Sequence, residues 1–178
     1  MRLKNVAKQR EIERNLAKNA RGTHFQALGQ AHVALAKGRS GDAAAAFGRA
    51  FELSEKLGRT QRAETSAWFA EAIVNEDSRQ AKTALARSLS LDPLNARANL
   101  LSGHLAFEEK DFAAATAFYQ TSLDADPFLS IQTLFFLGIA ELQQGNRELA
   151  KQSLEKFVEL SPKDENASIA KKQLERLK

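Results

Sequence analysis

The sequence predicts an all-α chain of helix pairs in series, and three observations carry that prediction. Its only three prolines, Pro93, Pro127 and Pro162, fall 34 and 35 residues apart. Twelve residues before each stands an alanine (Ala81, Ala115, Ala150), and four residues after each alanine a large side chain (Leu85, Tyr119, Leu154). Twelve residues before Ala115 and Ala150 stand Gly103 and Gly138. A glycine inside a helix costs roughly 1 kcal/mol relative to alanine, so glycines recurring at one register mark a packing requirement. A recurrence of about 34 residues is the sign of an array whose units stack.

The pattern resembles the tetratricopeptide repeat family, whose unit is a helix A, a turn and a helix B with the signature W-x2-L-G-x2-Y, A-x3-F and a closing P. The resemblance implies a right-handed α-solenoid of about four such pairs with a C-terminal capping helix. Its clearest copy spans 131–162, with Leu137–Gly138, Gly145 in the turn, Ala150, Leu154 and Pro162. The copy at 96–127 shows Gly103, Ala115, Tyr119 and Pro127.

Taken in order, residues 1–21 predict a separate basic helix with a broken apolar stripe of Leu3, Val6, Ile12 and Leu16. The array is expected over 22–162, in pairs at about 22–57, 61–93, 96–127 and 131–162. Thr23-x-x-Gln26 reads as a capping box after a helix-ending Gly22. In the first pair Leu28–Gly29 supplies the "LG", with Gly38, Ala43, Phe47 and Ala50 following. Its Gly29-to-Ala43 spacing of fourteen predicts a two-residue insertion near the turn. In the second pair strict spacing puts Phe69 at the glycine position; a one-residue deletion in the turn "NEDS" puts Phe69–Ala70 at the "LG" instead. Asp42 and Asp111 are expected to precede B helices, Asn95 and Ser130 to precede A helices, and Asn146 to cap the last B helix. Residues 163–178 read as the capping helix, with Ile169–Ala170 inward and Lys171, Lys172, Glu175 and Arg176 outward. Gly29, Gly103 and Gly138 are expected where helix B crosses helix A closely, and Gly145 at a turn needing a freely adopted φ.

Composition narrows the function classes. With no cysteine among 178 residues, disulfides and thiolate metal sites are excluded. No apolar run approaches the ~20 residues of a membrane span, and no signal-peptide stretch is present at the N-terminus, which favours the cytoplasm; a chain trimmed of its targeting segment reads the same. The net charge of +4 is uneven, because residues 1–22 hold seven basic residues against two acidic ones. That segment could contact nucleic acid or an anionic membrane; a solvated helix packed on the first repeat is the preferred reading, since aromatics are absent and glutamates interrupt the charge. His24, His32 and His104 have no convergent carboxylates, and neither a phosphate-binding loop nor a dinucleotide fingerprint occurs. No cofactor, metal or enzymatic activity is expected. Asn166-Ala-Ser168 matches a glycosylation sequon by chance spacing.

The resemblance places function on the concave side, where positions 2, 5, 9 and 12 of helix A point inward. These are Thr23, Gln26, Gln30 and Val33, then Glu64, Ala67, Glu71 and Val74, in the first two pairs. In the last two they are Arg97, Leu100, His104 and Phe107, then Gln132, Phe135, Ile139 and Leu142. The expected groove is polar at its N-terminal end and apolar at its C-terminal end, unless a misjudged helix boundary makes several of these residues core. The Lys/Asn/Asn/Lys/Arg clamp with which some family members grip a chaperone's C-terminal carboxylate is missing: Gln26, Gln30, Leu100 and His104 occupy its positions. The sequence therefore points to a scaffold holding an apolar protein segment, with self-association or docking through the basic helix as alternatives.

Overall fold

The computed structural model describes residues 22–177; the expected basic helix over 1–21 and its binding roles lie outside them. Within the described residues the chain is helical and contains no strand. Four helix pairs follow one another: α1 (His24–Ala36) with α2 (Ser40–Leu53), α3 (Arg59–Ile73) with α4 (Ser78–Leu91), α5 (Ala96–Glu108) with α6 (Phe112–Ala125), and α7 (Gln132–Gln143) with α8 (Arg147–Leu160). A short 3-10 turn, Ser54–Lys56, follows α2, and α9 (Ala167–Arg176) closes the chain. The chain is thus an all-α array of helix pairs. It divides into two compact units between Arg87 and Ser88, within α4.

In the second unit, residues 88–177, the glycines do what the sequence demands. A Cβ on Gly103 would stand 2.6 Å from the ring of Tyr119, and one on Gly138 would stand 2.7 Å from Cγ of Leu154. Both facing side chains are fully buried, as are Ala115 and Ala150. The bare Cα therefore lets α5 lie on α6, and α7 on α8, with a large side chain filling the crossing. Asn95 and Asp111 cap α5 and α6, accepting from the N–H groups of Ala98 at 2.8 Å and Ala114 at 3.0 Å. Asn146 occupies the N-cap of α8 without a side-chain hydrogen bond, and Ser130 stands one residue ahead of the N-cap Ile131. The third turn departs from the fourth: Gly145 adopts φ +80°, but the corresponding residue after α5 is Lys110 at φ 63°. An L side chain in that left-handed region costs roughly 1–2 kcal/mol.

In the first unit, residues 22–87, the register differs from expectation. Gly29 is exposed, and a Cβ there would meet nothing within 4 Å. Ala31 takes the crossing instead; it is fully buried and stands twelve residues before the fully buried Ala43. No insertion is needed, and α1 is turned by about 200° relative to the expected face. Gln26, Gln30 and Val33 consequently share a face with Ala45 and Arg49 of α2, where Arg49 donates to Gln30 at 3.4 Å. In the second pair Ala70 is fully buried together with Ser66 and Ile73, while Phe69 is half-buried, so the deletion lies in the turn and Ala70 sits at the crossing. The Thr23 hydroxyl accepts from the N–H of Gln26 at 3.3 Å, and the Gln26 side-chain amide oxygen Oε1 accepts from Gly22 N–H at 2.7 Å, closing the start of α1. Asp42 does not precede α2 but lies in its first turn, 3.4 Å from the Arg39 guanidinium.

Candidate functional site

The eight residues assigned to the apolar half of the groove all lie in the second unit, on α5 and α7, but they do not form one uniform surface. Leu100, His104 and Phe107 are half-buried on α5. Leu100 and Phe107 pack at the edge of a cluster built on Ala106, Ala115, Tyr119, Leu137 and Ala140. Phe107 meets Phe112 and Phe136 edge-to-face, with ring centroids at 5.5 and 5.9 Å. On α7, Phe135 is only 7% exposed and tilts against Phe157 at 5.5 Å, so it is a wall of the core. Ile139 and Leu142 are half-buried against the same cluster, to which α9 contributes Ala167, Ala170 and Leu174. Gln132 is exposed and donates to the Asp164 carboxylate at 3.1 Å, bridging α7 to the loop before α9. The Asn166 backbone N–H and, after it, the Gln132 bond hold the Asp164 carboxyl below the usual range. Arg97 is half-buried at the opposite end of the α5 stripe.

Between α5 and α7 these side chains leave a recess of about 540 Å³ lined by Phe107, Glu108, Lys110, Phe112, Ile139 and Gln143. Its apolar surfaces are the two phenylalanines and the isoleucine, and its rim carries one acid and one base. The left-handed Lys110 sits on that rim. The expected groove residues include neither Phe112 nor Lys110, which the structure adds to the lining. Lys110 had a signal, since it stands where Gly38 and Gly145 stand in their own turns.

His104 anchors the middle of the α5 stripe. Its Nδ1 lies 3.0 Å from the hydroxyl of Tyr119, and its ring packs edge-on to Phe136 at 4.9 Å. Burial pushes the His104 pKa down, and burial together with the negative charge of Glu108 pushes the Tyr119 phenol up. A neutral imidazole bonded to a neutral phenol suits a packing element. The first unit repeats the arrangement with His32, whose ring lies edge-on to Phe47 at 5.2 Å and Trp68 at 4.6 Å. His24 is buried, its Nδ1 2.9 Å from the Ala50 carbonyl oxygen.

Among the described residues no three His, Asp or Glu side chains are grouped to hold a metal ion, and no helix is long and apolar enough to cross a membrane. Glu141, on α7, is 4% exposed and accepts from the Ser153 hydroxyl at 2.9 Å. Burial raises its pKa, the hydrogen bond opposing that shift in part. It lies in the packing of α7 on α8, away from the recess.

Comparison with known proteins agrees with the helix-pair array. Similar solved structures include PilF of Pseudomonas aeruginosa, at a TM-score of 0.69 and 19% identity over 86% of this chain and 67% of that one. MamA of Desulfovibrio magneticus RS-1 aligns at 0.68 and 17%, covering 86% and 82%. YrrB, described as a TPR protein with an unusual peptide-binding site, aligns at 0.63 and 19%, covering 95% and 88%. No curated protein matches the sequence significantly. Tetratricopeptide repeat models match residues 67–130 and 131–164, together more than half of the sequence. With four helix pairs, small residues at each crossing and those matches, the chain belongs to the tetratricopeptide repeat family, an interaction-scaffold fold.

Proposed function

We propose that this protein is a non-enzymatic scaffold that holds an apolar segment of a protein partner, extended or helical, along α5 and α7. The observation that carries the reading is the recess walled by Phe107, Phe112 and Ile139. It lies beside the half-buried Leu100, His104 and Leu142, on helices whose inward face the family uses for binding. Desolvating such a surface at roughly 25 cal/mol per Å² supplies the affinity once ordering costs are subtracted. Arg97 at one end and Lys110 at the other give an oriented segment two cationic contacts. YrrB, with its peptide-binding site on the same fold, is the comparison that favours a peptide ligand. A carboxylate-clamped chaperone tail is not the ligand proposed, since Leu100 and His104 stand where a clamp needs amides and cations.

The test uses the full chain as bait in an affinity capture, beside a Phe107→Ser/Ile139→Ser variant. Phe135 stays intact, because its serine variant would open the core. The proposal expects the captured set to disappear with the double variant while the thermal transition stays cooperative. Capture of the same partners by a folded double variant would overturn it.

A further inference from the structure

The first helix pair shows a face that its counterparts on α3 and α7 keep covered. Ala31 and Gly138 hold the same crossing, so Gln30 and Val33 of α1 take the places of Leu137 and Ala140 of α7. Leu137 is 3% exposed and Ala140 fully buried, because α6 lies over them with Ala115 and Tyr119. In the same way α2 covers α3, where Trp68, Phe69 and Ala72 pack against Ala43 and Phe47. On α1 no described helix does this: Gln30 is exposed and Val33 is 51% exposed. Between them and Ala45, Ala46 and Arg49 of α2 lies a recess of about 520 Å³. A stacked array bares such a face wherever a neighbour is missing.

We infer that residues 5–18 of the same chain form a lone B helix seated on this face, a half-repeat ahead of the first pair. The residue pattern places it. Tyr119 and Leu123, large side chains of α6, stand nineteen and fifteen residues before Gly138; the same spacings before Ala31 give Ile12 and Leu16. Ala117 and Ala125 are exposed on α6, and their places are taken by Arg10 and Lys18. The place of Ala115, which is buried in the packing of α5 on α6, is taken by Lys8, a residue suited to a B helix with no A helix against it. Gln120 and Lys156 line one recess between helices of the second unit. Their places in the first unit are Glu13 and Arg49, opposite charges that the seated helix brings to one rim. Five residues, 19–23, join this helix to α1, against six between α6 and α7, and Gly22 among them takes φ +71°. A connection that short ties the segment to its own copy. The basic segment is on this account a cap whose charges point to water, as α9 is the cap on α7 and α8.

The chain has no cysteine, so a pair of introduced ones reads the contact directly. In the full chain, Ile12→Cys/Val33→Cys should oxidise to an intramolecular disulfide in most molecules, which run as monomer on a non-reducing gel. Ile12→Cys/Leu35→Cys should not, because Leu35 lies about 200° around α1 from Val33. Ile12→Asp and Val33→Asp should each lower the thermal transition by about 3–6 °C, and both together by no more than ~2 °C beyond either alone. An uncovered Val33 would tolerate aspartate within ~1 °C. A disulfide that joins two copies overturns the inference and gives the face to a neighbouring copy. One that forms as readily through Leu35→Cys overturns it as well, as do aspartates that leave the transition in place. Failure of the groove reading would leave these results unaffected, since Phe107 and Ile139 lie in the other unit.

Discussion

The two units solve one packing problem with different side chains. In 88–177 the crossings are made by glycines, and the space each leaves is filled by Tyr119 or Leu154 at distances that no Cβ tolerates. In 22–87 alanines make them: Ala31 beside Ala43 and Phe47, and Ala70 in the second pair. The units nevertheless converge on the same aromatic arrangement, a histidine edge-on to two rings, His32 with Phe47 and Trp68, His104 with Tyr119 and Phe136. Only the second adds a hydrogen bond, between the His104 ring and the hydroxyl that Phe47 lacks. What the repeat requires at its crossing is a small side chain. Glycine is one way to meet that requirement, and a glycine nearby is no proof of it.

The largest expected effect separates two phenylalanines of similar sequence context. Phe135→Ser should cost about 3–5 kcal/mol, because it empties a buried site against Phe157. Phe25→Ser should cost under ~1 kcal/mol, since Phe25 is 67% exposed. Chemical denaturation of both variants checks the pair.

Next come the glycines themselves. Gly138→Leu should destabilise by roughly 3 kcal/mol as over-packing against Leu154 pushes α7 from α8. Gly29→Leu should change stability by less than ~1 kcal/mol, with helix propensity favouring the variant. If the two variants melt alike, the assignment of crossings is wrong in one unit.

These contrasts locate what was legible in the sequence. The helix pairs, the turn at Gly145, the caps at Asn95 and Asp111 and the crossings at Gly103 and Gly138 followed from residue types whose local physics is restrictive. The first register failed because Leu28–Gly29 imitates a signature whose purpose is small size, and Ala31, one of many alanines, carries no such mark. The site was legible as a stripe on α5 and α7 but not as a shape. Helical spacing says which side chains share a face, whereas the burial of Phe135 and the contribution of α9 depend on Phe157, Ala170 and Leu174, residues far along the chain. The wall supplied by Phe112 is tertiary for the same reason.

Two smaller effects sharpen the comparison. Glu141 has a raised pKa in the folded state, so the native chain binds more protons than the unfolded one, and stability falls as pH rises from the ordinary glutamate range through the folded value. Glu141→Gln should therefore be more stable than the parent at pH 7 by ~0.5–1 kcal/mol, and the gain should shrink as the pH falls through the folded value towards about pH 4. Thermal melts at both pH values check the sign. Lys110→Gly should stabilise by ~0.5–1 kcal/mol by relieving the left-handed backbone, whereas Gly38→Ala and Gly145→Ala, at φ +67° and +80°, should each destabilise by ~1 kcal/mol.

The central claim is that partner binding belongs to the second unit's α5–α7 face and not to the exposed apolar residues of the first. Its most direct test places a photo-crosslinking phenylalanine analogue at position 107 in one full-length variant and at position 25 in another. Illumination in extract should yield discrete crosslinked partner bands from position 107 and none from position 25. Bands from position 25 with a silent position 107 would contradict the claim and move the binding surface to the first helix pair.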